Sequence, residues 1–318
     1  MRQQLAVLTI LGSLLPMAVY SASEERLTLL TEYEGFVSRT PPVTASMPLR
    51  LHAQESGRRL DVEVFGVIDQ PFFRVASALS SPASVCDFLL LNLNVKSCVY
   101  RRNENDASLK IYVSGKSYAP PFRSITIEPT HQVVRQNGDY VAMTLSAQKG
   151  LMGSSDYQVL TQAVPYQGKT LLRLSSAYQG SRVSRLMTQT YLRTFGRDKV
   201  GFSIVGQAVD GDPLYVKGLQ GVIERNVVRS YFALQAHLQN ESPNRFEQRI
   251  RSWYGMTETH ARQLREIERE EYFRNKRREY SNQLRLQAKL NQRIDINMGM
   301  GQSPALGQGF NAVLATEQ

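Results

Sequence analysis

The chain is poor in side chains that bind soft metals, with two cysteines, Cys86 and Cys98, and four histidines, His52, His131, His237 and His260, in 318 residues. No histidine falls in an HxH, HExxH or HxxxH pattern, and none neighbours a cysteine at ligand spacing, so no metal site is expected. There is no CxxC redox couple and no GxSxG elbow for a nucleophilic serine. The glycines of residues 211–221 lack the strand, GxGxxG and helix context of a nucleotide fingerprint. No cofactor is expected, and an enzyme reading has no anchor. After the first 18 residues no apolar run approaches the roughly 20 residues that a membrane-spanning helix needs.

What is present begins at the amino terminus. Arg2 precedes an almost continuously apolar stretch, Leu5 to Ala18, and Val19-Tyr20-Ser21-Ala22-Ser23 supplies small residues for cleavage. This is the pattern of a secretory signal peptide over residues 1–23, cut near residues 21–23. No cysteine at the cut accepts a lipid. An exported, periplasmic location follows, where Cys86 and Cys98 are expected to form a disulfide. Closing that loop contributes on the order of 3 kcal/mol in the chain-entropy picture.

Residues 24–55 read as a short helix and a proline-containing linker, TPPVTASMP. The folded body then spans residues 56–240. In LDVEVFGVI, Leu60, Val62 and Val64 alternate with Asp61 and Glu63, the pattern of a half-buried strand. Two helical pieces follow, broken at Ser81-Pro82. From Ser108 onward SLKIYVSG, RSITIEPTHQVVRQ, DYVAMTLSAQ, SDYQVLTQAV and KTLLRLSSAYQ read as an antiparallel meander, its connections too short for parallel crossovers. Residues 181–195 carry an apolar stripe at helical spacing, read as core packing or as a lid. KVGFSIVG reads as the last strand, and VIERNVVRSYFALQAHL as a long closing helix.

On that helix Ile223, Val227, Tyr231, Leu234 and Leu238 form one stripe, flanked by Asn226, Ser230, Ala233 and His237. Small and polar neighbours suit a helix lying over a cavity, and ordinary packing on a sheet fits as well. Arg225 or Asn226 could hold an anionic headgroup at a pocket mouth; the competing and favoured reading is a solvated face in which Glu224 complements the helix dipole. Arg173, in the apolar strand LLRLSS, is either an exposed charge or a polar spot in the pocket. Tyr157, Tyr166 and Tyr178 are further candidates for a cavity wall. The candidate ligand-contacting set is therefore Arg173, Arg225, Asn226, Ser230 and His237.

The net charge of +10 is concentrated late in the chain. Residues 241–295 form a basic helical extension, a short helix ended by Gly255 and a charged one from Thr257 to about Ile294, with sparse apolar positions. Its arginines suit an anionic membrane surface or an acidic protein; nucleic acid is not an expected partner. Residues 296–318 have neither charge nor periodicity in their favour and are expected to be disordered.

In order, these elements resemble the START-like, helix-grip (SRPBCC-type) superfamily. LNLNVKSC, RDKVGFSIVG, GLQGVIERNVVRSYFAL and ETHARQLREIEREEY are similar to segments of exported bacterial START-like proteins, and the resemblance spans residues 60–272. It implies an α+β helix-grip fold, a curved antiparallel sheet around a long helix, and by analogy the binding or carriage of a lipid or other hydrophobic small molecule. The alternatives are an adaptor acting through the basic helix and a START-like cyclase or hydrolase.

Overall fold

The computed structural model describes residues 22–44, 46–57, 59–149, 155–179, 199–240 and 242–300. Residues 1–21, the helix expected over 181–195 and residues 301–318 lie outside the described residues. Helix α1 (Glu24–Arg39) has Ser23 as its N-cap, with Ser23 Oγ accepting from the Arg26 amide at 3.3 Å and Glu24 and Glu25 in the first turn. Acidic side chains there complement the helix dipole. The expected linker is mostly strand. After β1 (Pro42–Thr44), β2 (Met47–Ser56) pairs with β3 (Arg59–Ile68) along its length, carrying Leu49, Leu51 and Ala53 on one face.

Pro71 precedes α2 (Phe72–Ser80), and Ser81 caps α3 (Pro82–Leu90), with the proline at a first-turn position where it lacks only an amide the helix would not use. Strands β4 (Val95–Arg102), β5 (Ala107–Val113), β6 (Ile125–Ile127), β7 (Thr130–Gln136), β8 (Val141–Lys149), β9 (Ser155–Tyr166) and β10 (Lys169–Gln179) build the meander. The main sheet is antiparallel, in the order β1-β2-β3-β10-β9-β8-β7-β5-β4, with β6 paired to β5.

KVGFSIVG is not the sheet's last strand. Its second half is β11 (Ile204–Gln207), which among the described residues pairs with β12 (Pro213–Tyr215) in a separate two-stranded hairpin. Its side chains are exposed, so apolar content there signals no buried strand. The closing helix α4 (Gly218–Gln239) then crosses the inner face of the main sheet. Tyr231 marks the crossing, its hydroxyl donating to the Val67 carbonyl at 2.6 Å. Gly66 permits it: a Cβ there would lie 2.9 Å from Leu49 Cδ1 and 3.1 Å from the Tyr231 ring. The chain thus has the α+β helix-grip architecture expected of it.

The remaining helices are α5 (Phe246–Glu258), α6 (Ala261–Leu264) and α7 (Arg269–Met300). Gly255 does not end α5, and a break after α6 interrupts the expected continuous helix; α7 also runs past its expected end near Ile294. These helices share the main core. Ile250, Trp253, Tyr272 and Phe273 are buried with residues of α3, α4 and the sheet's inner face. On the outer face α1 covers a second cluster, Leu29 and Phe36 against Phe65, Val164 and Leu171.

Candidate functional site

Pairing register places inner-face residues in rows across the sheet. The first row is Leu49, Gly66, Leu172, Ala163 and Val141; the second is Leu51, Val64, Leu174, Thr161, Met143 and Val133; the third is Ala53, Val62, Ser176, Val159, Leu145 and His131. Burial falls off along this series. Every member of the first row is buried; Leu51, Leu174 and Val133 of the second are half-buried; and so are Ala53, Ser176, Val159 and Leu145 of the third. On α4, Ile223 and Val227 are likewise half-buried, whereas Tyr231, Leu234 and Leu238 further along the stripe are buried. The inner face is therefore closed at one end and only partly covered at the other.

The partly covered end carries few polar groups. Thr161 is in the second row, and Ser176 in the third hydrogen-bonds the Tyr157 side chain. A largely apolar surface with three hydroxyls suits an apolar body carrying a single polar group. Leu51 and Ala53 belong to the segment expected to be linker, where Leu49, Leu51 and Ala53 alternating with Arg50, His52 and Gln54 was the signal that identifies them.

The candidate residues chosen from sequence are not gathered at this end of the inner face. Arg173 lies on the outer face beneath α1, donating to Glu63 at 2.7 and 3.0 Å, to Glu32 at 2.8 Å and to Gln162 at 3.2 Å. Tyr166 is on that face too, edge-on to Tyr33; the Tyr178 side chain lies outside the described residues. Asn226 and Ser230 are exposed on the solvent side of α4. His237 is buried against Phe88 of α3, and burial, with the Arg249 charge beside it, lowers its pKa to about 4. The imidazole is a neutral core residue at ordinary pH.

Arg225 is buried and engaged. Its Nε donates to the Gln263 carbonyl at 2.7 Å and Nη2 to Glu266. Glu266 also takes Arg229 at 2.8 Å and Lys199 at 2.6 Å. Burial pushes this carboxyl up, but Arg229, Lys199 and Arg225 together outweigh it and hold the pKa at about 2. Glu224 does not form the expected solvated face either. Its carboxylate is buried and accepts the Phe202 and Ser203 amides at 2.6 and 2.9 Å, the Ser203 hydroxyl at 2.7 Å and Gln220 at 3.1 Å. The Glu224 to Arg229 cluster is a clamp between the β11-β12 hairpin, α4 and the chain beyond α6.

Cys86 and Cys98 form the expected disulfide, tying α3 to β4. Among the described residues no group of three or more His, Cys, Asp or Glu side chains could hold a metal ion. An open cleft of about 430 Å³ beside α2, lined in part by Phe72, Phe73, Arg102 and Asn137, shares no residue with these inner-face rows.

No family model matches the chain, and no curated protein matches it. Among solved structures, human STARD10 is similar at 9% identity and TM-score 0.35, over 57% of this chain and 78% of that one. Human StAR-related lipid transfer protein 5 is similar at 10% identity and TM-score 0.34, over 55% and 89%. A STAR-related lipid transfer protein fragment from Xanthomonas axonopodis is similar at 8% identity and TM-score 0.36, over 62% and 96%.

Proposed function

We propose that the chain binds a hydrophobic small molecule of the lipid class in a recess between the sheet and α4, and that it does so outside the cytoplasm. The observation that carries this reading is the burial gradient across the inner face. A folded chain gains by burying apolar surface, and here one end of the face is buried while Leu51, Ala53, Val159, Leu174 and Leu145 stay partly open. A ligand covering them would gain roughly 25 cal/mol for each Å² of apolar surface removed from water. Export is supported by the amino-terminal pattern and by the disulfide. Among the described residues no helix is long and apolar enough to cross a membrane.

Native mass spectrometry of the protein purified from its export compartment is the direct test. The expected result is a bound apolar molecule released on unfolding. Substituting Ser176→Trp fills the open end and is expected to abolish retention of that molecule while leaving the thermal midpoint near the wild-type value. Apo protein before and after challenge with phospholipids and fatty acids would overturn the reading.

A second reading, an adaptor working through the last helix, is favoured by one observation. Helix α7 docks one face on the domain and leaves Arg274, Arg285, Lys289 and Arg293 exposed on others. That row suits an anionic surface or an acidic protein. Charge reversal at Arg285 and Lys289 separates the readings, since it should weaken vesicle or partner binding without altering the pocket.

A further inference from the structure

The turn from β7 into β8 holds a carboxylate whose hydrogen bonding is half complete. Asp139 is only 3% exposed. Its Oδ2 accepts the backbone amide of Ser23 at 3.0 Å, while Oδ1, equally enclosed, has no hydrogen-bond partner. A buried carboxylate oxygen without a donor is costly. The donor that is present is an amide, and an amide nitrogen carries one hydrogen. An ammonium at the same place carries three, along with a positive charge.

Ser23 stands directly after the small residues Ser21 and Ala22, which follow Val19-Tyr20 and the apolar stretch from Leu5. We infer that the chain is processed between Ala22 and Ser23 and that Asp139 is the built receptor for the α-ammonium group so created. The step is hydrolysis by a signal peptidase of the export machinery. Water adds across the Ala22–Ser23 amide, the carbonyl carbon leaves as the Ala22 carboxylate, and the nitrogen takes up protons as the Ser23 ammonium. The inference rests on the export reading and adds to it a cut position and a residue that recognises the product.

The geometry needs little change. Ser23 already serves as the N-cap of α1, so its nitrogen is fixed against Asp139 by the helix. One ammonium hydrogen keeps the Oδ2 contact, a second is available to Oδ1, and the pair becomes charge-assisted. The other charged and titratable groups around it are Glu24, Glu25 and Arg26 on α1, Arg135 on β7 and Tyr140 on β8. Arg135 pairs with Glu25 at 3.0 Å, and the Tyr140 hydroxyl accepts from Gln162 at 2.7 Å. Among the described residues no ion pair joins Arg26 to Asp139. A positive charge at a helix N-terminus opposes the dipole, and Asp139, Glu24 and Glu25 offset it.

The test uses the full chain exported from bacteria carrying it. Intact mass and N-terminal sequencing should give residues 23–318 with a free α-amine. Selective acetylation of that amine removes the charge without a mutation. It should lower the thermal midpoint at pH 7 by roughly 3 °C, and the two forms should converge as pH rises toward about 10, because a paired α-amine titrates above its ordinary 7.7–8.0. Asp139→Asn should abolish the difference. A chain found only in the cytoplasm, with Met1 in place, would overturn export and this inference together. An exported chain starting at any other residue, or an acetylated chain as stable at pH 7 as the free one, would overturn this inference alone.

Discussion

Protonating His237 would put a second cation next to Arg249 in a site 3% exposed to water. Its pKa near 4 in the folded chain, against 6.5 in the unfolded one, means that the unfolded chain binds the extra proton across that window. Stability is therefore held above pH 6.5 and lost as pH falls toward 4, by about 3 kcal/mol. Denaturant midpoints at pH 7 and pH 4.5 should show this loss, and His237→Gln should remove most of it; an unchanged acid sensitivity in the variant would refute the assignment. Gly66 offers a second test. Its missing Cβ is the space in which the Tyr231 ring approaches the sheet, so Gly66→Ala should cost roughly 1–3 kcal/mol through overpacking, and pairing it with Tyr231→Phe should not restore stability. Neither role was legible in the sequence. A histidine beside an apolar stripe fits a ligand contact as well as a core position, and the facing element that decides between them is Phe88, distant along the chain.

At the level of elements, α7 closes the β4 edge of the sheet. Gln283 Oε1 accepts the Cys98 amide at 2.9 Å, and Gln287 both accepts the Tyr100 amide and donates to its carbonyl, each at 2.9 Å. Two glutamines thus supply the hydrogen bonds a neighbouring strand would have made. Below them Glu279 bridges Lys96 at 3.1 Å and Lys276 at 2.7 Å, all three buried, and Lys276 also donates to the Asn92 and Val95 carbonyls. Gln283→Ala should speed amide exchange at Cys98 about fivefold, the loss expected of one hydrogen bond near 1 kcal/mol. Exchange no faster than wild type would show that the glutamine contact does not protect the edge. Hydrophobic patterning could read β3 and β8 to β10, whose alternation survives because one face is core. It could not read the docking face of α7, since Asn275, Lys276, Glu279 and Gln283 follow Tyr272 at helical spacing but are polar. It misread KVGFSIVG for the opposite reason: Ile204 and Val205 are apolar and exposed.

Across the whole molecule, one apolar core runs through residues that composition divides near 240. Trp253 stacks on Tyr272 with centroids 4.9 Å apart, its indole donating to the Arg229 carbonyl, and the Tyr272 hydroxyl donates to the Leu91 carbonyl at 2.9 Å. Phe246 stacks on Tyr280 at 4.0 Å. Deleting residues 257–318 would therefore strip Trp253 and Ile250 of their cover and take the carboxylate from the Lys96 ammonium. Loss of cooperative thermal unfolding is the expected outcome; a truncated chain melting sharply at the wild-type midpoint would contradict it. The partly covered end of the inner face was legible only in outline for the same reason that the tail was misjudged: pairing register, which composition does not encode, decides which residues line it. The glutamine-covered edge has a consequence in time. Ribosomes make β4 before α7, so for nearly two hundred residues of synthesis the strand from Val95 has an open flank, able to pair with another copy of itself. Docking of α7 is what ends that exposure, so the nascent chain leans on chaperones until α7 has been made.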